Sequence, residues 1–191
     1  MGTYFIGVDC GVKGAIVVLD SKKELVNWLP MPFLNNHSLL PHISPLDTLV
    51  LVKYFQLFRG HIQAIGVEVP RSIPNLNKSS NIFRQGANVQ VVISSIFAAG
   101  VSPKMVLLNE KEWQPKETRG KGKKSYVDHI PFHIQKKITP PRCRTPHEGA
   151  IDAYLMACYC LDTPHKMQYY ENIELWKEKT RKKRIKKNWK F

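Results

Sequence analysis

Four carboxylates occupy positions that call for a chemical explanation. Asp9 closes the apolar run Phe5-Ile6-Gly7-Val8, and Glu68 interrupts Ile65-Gly66-Val67-Glu68-Val69. Glu148 and Asp152 lie four residues apart at the start of an apolar helical stretch, which puts them on one helix face. A carboxylate buried alone is unfavourable unless a partner or a cation compensates it. Anions held close together repel, and a hard divalent cation such as Mg²⁺ or Mn²⁺ relieves that repulsion. If all four acids converge, two such ions about 3.5–4 Å apart would activate water and stabilise the leaving oxygen of a phosphodiester. Taken singly, each acid has a plainer account. Asp9 also suits a strand-end turn, Glu68 a surface edge before Pro70, and Glu148 and Asp152 a helix N-terminus. His147 suits a helix cap as well as a metal or base role.

The elements that must position these acids follow from the apolar pattern. Residues 4–9, 15–19 and 25–29 read as three antiparallel strands joined by tight turns. Asn35 to Pro45 reads as loop, and Asp47 to Phe58 has approximate helical spacing with Gly60 as its stop. Ala64 to Val69 is a strand, and a strand–helix–strand crossover makes it a parallel neighbour of the first. Asp9 and Glu68 should then emerge at one end of the sheet. Asn81 to Ala99 is a long helix with apolar residues on more than one side, as expected of a buried helix or one shared with a partner. Lys104 to Leu108 is a last strand, and Glu148 to Cys160 a closing helix. The expected architecture is α/β: a mixed five-stranded sheet of three antiparallel strands with parallel additions, flanked by helices. Residues 1–163 form the main domain. Within it, 114–146 read as a largely irregular basic loop with one short helix around Pro131 to Lys137. Residues 164–191 read as a basic tail, helical near Glu171 to Lys187.

The net charge is +14 over 191 residues, and it is localised. Lys111–Arg144 and Lys166–Lys190 each carry ten Lys/Arg against three acids and account for the whole excess. A near-neutral body with two basic segments, the second interleaved with Trp176 and Trp189, points to a polyanion such as nucleic acid. No apolar run is long enough to span a bilayer, and no leader pattern opens the chain, so a soluble intracellular protein is expected, with an organelle not excluded. Cys10, Cys143, Cys158 and Cys160 lack zinc-site spacing and read as small hydrophobes in a reducing compartment.

The sequence resembles the RuvC-type Holliday junction resolvases, particularly their divergent phage-type and organelle-type members. Carrying the resemblance are Ile6-Gly7-Val8-Asp9-Cys10-Gly11 with Gly14-Ala15, then Gly66-Val67-Glu68, then His147-Glu148-Gly149-Ala150-Ile151-Asp152-Ala153-Tyr154-Leu155-Met156-Ala157. Arg84-Gln85-Gly86-Ala87-Asn88 and Asn109-Glu110-Lys111-Glu112-Trp113 also fit, and coverage is about residues 4–160. The resemblance implies an RNase H-like fold, a homodimer, and Mg²⁺-dependent paired nicking of four-way DNA junctions. By motif position it makes Asp9, Glu68 and Asp152 metal ligands, with Glu148 as the remaining acid. Glu148 stands four residues before Asp152, whereas the best-known bacterial members place that acid three before, so its role is the least secured by the motif. A C2 dimer offers two equivalent sites to a junction of approximate two-fold symmetry, with the 81–99 helix as candidate contact. Expected phosphate contacts are Arg71, Lys78, Arg84, Lys116, Arg119, Lys121, Lys123 and Lys124; in the 71–78 loop Ile73 suits a wedge at the crossover but better suits a packed loop residue.

Other readings share these features. The Asp9-to-Gly14 turn resembles the phosphate loop of actin-like ATPases and sugar kinases, but a second such turn is not found in this sequence. A non-cleaving binder of branched nucleic acid, or a nuclease acting on RNA–DNA hybrids or flaps, would use the same fold.

Overall fold

The computed structural model describes residues 2–34, 46–69, 79–102, 104–118 and 124–164, with backbone alone for 79–84 and 124. Strands β1 (Tyr4–Val8), β2 (Ala15–Leu19) and β3 (Leu25–Pro30) form an antiparallel meander. Helix α1 (Thr48–Gln56) leads into β4 (Ile62–Glu68), and α2 (Ser79–Ala98) into β5 (Lys104–Leu108). Both crossovers give parallel pairs, β1 with β4 and β4 with β5. The sheet order is β3-β2-β1-β4-β5, with β1 at the centre. The mixed five-stranded sheet read from the apolar pattern is therefore present.

Strand alternation sorts the side chains into two cores. Ile6, Val8, Ile16, Val18, Ile65 and Val67 face α1 and α2, where Leu51, Phe55, Val92 and Ile96 complete one fully buried cluster. Ala15, Val17, Leu19 and Ala64 face the opposite way, toward α6 (Glu148–Asp162). The domain is thus three layers, helix–sheet–helix. Asp47 starts α1 by accepting from Val50 N at 3.1 Å, and Gly60 stops it at φ +83°. Among the described residues no helix is long and apolar enough to cross a membrane.

The basic stretch after Trp113 is more ordered than its composition suggests. The expected short helix is present as α5 (Phe132–Lys137). Around it lie α3 (Glu110–Trp113), a 3₁₀ turn at Lys116–Thr118 and α4 (Lys124–Val127). Tyr126, Ile130, Ile134 and Ile138 recur every four residues and are buried against α6. Residues 126–138 therefore contribute four side chains to the core rather than forming a bare loop; the four-residue stride is hidden among Lys, Gly and Pro. The proposed tail beyond 164 lies outside the described residues.

Candidate active site at one end of the sheet

The site begins with two aligned strands. Val8 stands opposite Val67 in the parallel β1–β4 pair, so the residues that follow, Asp9 and Glu68, leave the sheet as neighbours. Asp9 is 7% exposed. Its backbone N donates to Ala15 O at 3.0 Å, and its Oδ1 accepts from Gly11 N at 2.8 Å. The carboxylate thereby caps the turn that follows it and is fixed in direction. Glu68 is the last residue of β4 and is half-buried. Val69 continues the ladder by donating to Leu108 O, which holds the strand end straight.

Helix α6 brings the other acids. It lies directly on the strands because glycines stand beneath it. A Cβ on Gly7 would sit 1.9 Å from Ala153 O, and one on Gly66 would sit 2.7 Å from Cys160 Sγ. Its first turn is joined to the β1–β2 turn by a parallel bridge between Gly14 and Gly149. A Cβ on Gly149 would lie 2.2 Å from Lys13 O, so only glycine admits this approach. Asp152 follows within a turn and is 5% exposed. Asp9 and Glu68 thus leave neighbouring parallel strands, and the Gly14–Gly149 bridge brings the first turn of α6, just before Asp152, against the turn that follows Asp9. Glu148 differs. It is the first residue of α6 and is exposed, one helical turn nearer the open end than Asp152.

The electrostatics agree with this placement. Burial pushes the Cys10 thiol well above its ordinary range, and the negative charges of Asp9 and then Glu68 push it further. Both carboxylates therefore act on one point. The three acids supply only oxygen donors, which suits Mg²⁺ or Mn²⁺ rather than a soft metal. Among the described residues no group of three or more His, Cys, Asp or Glu side chains is arranged to hold a metal ion. The expected four-acid convergence is thus not formed by the side chains alone. A Mg²⁺ site often takes one or two carboxylates and completes its shell with water and substrate phosphate; Asp9 and Asp152 are the acids whose burial such an ion would compensate.

His147 caps α6, its Nδ1 accepting from Ala150 N at 3.3 Å. Its ring lies 5.4 Å from that of Trp28. The capping reading accounts for this geometry. Of the expected phosphate contacts, Lys116 is exposed on the 3₁₀ turn. Arg84 lies on α2 and Lys124 on α4, placed by backbone only. Arg71, Lys78, Arg119, Lys121 and Lys123, with Ile73, lie outside the described residues.

One residue had no assigned role in the sequence. Asn88 is 1% exposed on α2, and its Nδ2 donates to Cys10 O at 3.0 Å. It ties the helix layer to the turn that carries Asp9. The signal was an amide between the apolar positions Ala87 and Val89.

No family model matches the chain, and no curated protein matches it by sequence. Among solved structures it is similar to T. thermophilus RuvC in complex with a Holliday junction substrate. The TM-score is 0.51 at 11% identity, covering 87% of this chain and 98% of that one. At that identity the likeness speaks for the fold. Together with the sheet order and the flanking helices, it shows that this chain has the RNase H-like fold.

Proposed function

We propose that the chain is a metal-dependent endonuclease that resolves four-way DNA junctions by paired symmetric nicks, acting as a homodimer. The observation that carries this reading is the burial of two carboxylates, Asp9 at the end of β1 and Asp152 in α6, with the β1–β4 register setting Glu68 beside the end of β1. A carboxylate in the interior is unfavourable unless a partner or a cation compensates it. The RNase H-like fold, the two basic segments and the likeness to a junction-bound RuvC support it.

In this reading residues 1–163 are the nuclease domain and 164–191 a basic tail that adds phosphate contacts, in an intracellular protein. Asp9, Glu68 and Asp152, with Glu148 at the rim, would hold Mg²⁺ or Mn²⁺, two ions per site. When bound, the ions lower the pKa of water and neutralise charge on the phosphate. The chain's own part is geometric. Gly11 N orients Asp9, the strand register sets Glu68 beside the end of β1, and the Gly14–Gly149 contact holds the first turn of α6, just before Asp152, against the turn that follows Asp9. Lys116, with Arg71, Lys78, Arg84, Arg119, Lys121, Lys123 and Lys124, holds phosphates without reading bases. The dimer would form on the helix layer opposite α6, where Phe97, Leu49 and Leu57 are exposed at 52%, 62% and 70%.

The test is cleavage of a synthetic four-way junction with Mg²⁺ or Mn²⁺, against linear duplex of the same sequence. Symmetric nicks confined to the junction, with Asp9→Asn binding but not cutting, are expected. Equal cutting of linear duplex, or unimpaired cutting by Asp9→Asn, would overturn the reading.

A further inference from the structure

Outside the carboxylate end, α5 and the turn after it form an open groove of about 280 Å³. Phe132, Gln135, Lys136, Thr139, Arg144 and Pro146 line it. Phe132 is 67% exposed, unusual for a large aromatic on a short helix. Lys136 Nζ sits 4.5 Å from the centre of its ring. The surrounding segment 129–147 carries Lys136, Lys137, Arg142 and Arg144 and no Asp or Glu. Glu24, which reaches α5 from the β2–β3 turn, is paired with His133 at 3.1 Å.

The groove is built rather than incidental. Ile134 and Ile138 anchor α5 in the core, and Trp28 Nε1 donates to Lys137 O at 3.1 Å. After α5 the chain turns back through Arg142, a non-glycine residue at φ +68°, with Cys143 N donating to Pro140 O at 3.0 Å. That reversal sets Arg144 and Pro146 against the helix. His147 N then donates to Ile138 O at 3.0 Å, and Glu148 begins α6. The groove therefore opens beside the end of α6 that bears the candidate acids.

We propose that this groove binds unpaired nucleic-acid strand, a base stacking on Phe132 and the flanking phosphates held by Lys136 and Arg144. An exposed aromatic beside cations suits a base face and its backbone, since stacking is tolerant of sequence and the cations follow the phosphates. The volume is just below the roughly 300–1,000 Å³ of small-molecule pockets, which suits one flat ring in an open cleft. The proposal deepens the nuclease reading and rests on it for its purpose: the groove would hold a strand unpaired at the branch and lead it toward the acids.

Binding of fluorescein-labelled oligothymidine to the full chain, followed by anisotropy in EDTA across a salt series, tests it without cleavage. Phe132→Ala should weaken binding by about 5- to 150-fold, the worth of one stacked base. Phe132→Trp should bind as wild type or tighter, and Phe132→Leu should resemble Phe132→Ala. Replacing Lys136 and Arg144 together by Gln should reduce the slope of log affinity against log salt by about 1.4, two phosphate contacts on a single strand. Wild-type affinity in Phe132→Ala, or in Phe132→Leu, would overturn the proposal, as would an unchanged salt slope in the double variant. A chain that binds the strand through Phe132 but cuts no junction would keep the groove and remove the nuclease reading. A chain that cuts junctions while Phe132→Ala binds oligothymidine normally would remove the groove alone.

Discussion

The Gly7 backbone lies against the Ala153 carbonyl so closely that a Cβ at position 7 would fall 1.9 Å from that oxygen. Nothing at this contact can bend away, because both partners are main chain. Gly7→Ala should therefore push α6 off the sheet and destabilise the fold by about 3 kcal/mol or more, the upper range for overpacking. Gly66→Ala should do less, since its nearest obstacles are the side-chain atoms Cys160 Sγ and Leu108 Cδ1. Urea unfolding of the two variants checks the order, and equal losses would contradict it.

The acids should rank by burial. Asp9→Asn and Asp152→Asn alter carboxylates that are 7% and 5% exposed, and each should abolish detectable cutting. Glu148→Gln alters an exposed residue at the rim and should lower the rate on the order of 10- to 100-fold, as for a group acting at one remove. Single-turnover cleavage of a junction measures this. A Glu148→Gln defect as complete as that of Asp9→Asn would show that α6 moves to bring Glu148 inward.

Asn88→Ala removes the donor to a buried carbonyl. The Cys10 oxygen would lose this bond, at about 1–3 kcal/mol of stability. Because Cys10 follows Asp9, the turn should loosen and the cleavage rate should fall while junction affinity holds. Measuring rate and affinity on the same preparation separates this from simple unfolding.

These residues also show what the sequence carried and what it could not. An apolar run ended by a charge identified β1 with Asp9 and β4 with Glu68, and the crossover rule placed them side by side. The partner of Asn88 lies 78 residues away, so no local pattern reveals it. Glu148 and Asp152, read from their spacing as sharing one helix face, differ in exposure for a geometric reason. Helical spacing fixes the face but not the depth, and Glu148 stands at the exposed start of α6, immediately before its buried part. In α4 and α5, Tyr126, Ile130, Ile134 and Ile138 were legible as a stride only once the charged residues between them were set aside.

Alkaline pH should destabilise the fold through its thiols. Burial pushes Cys160 from 9.0 up to about 12, and Cys158 up to about 11. Below about pH 9 both states keep the Cys160 proton and its contribution is whole. Above that the unfolded chain releases the proton and the folded chain does not, so stability falls as pH rises until about pH 12. The slope should be on the order of 1 kcal/mol per pH unit for this group. Cys160→Ala should flatten the decline measured by urea melts between pH 8 and about 11.

Phe97→Glu tests the proposed dimer. Phe97 is 52% exposed on the outer side of α2, so the change should leave the monomer fold intact. Sedimentation should show a dimer for the parent chain and a monomer for the variant. Paired nicking should give way to single nicks.

The bridge between Gly14 and Gly149 has a consequence for how this domain can change over time. Because backbone meets backbone there, the separation between the turn carrying Asp9 and the helix carrying Asp152 does not depend on the identity of neighbouring side chains. Val12, 66% exposed at the tip of the turn, is free to be replaced without altering that separation. A spacing set in this way tolerates long drift in the surrounding sequence, and a laboratory redesign could recolour almost the whole surface while keeping two glycines.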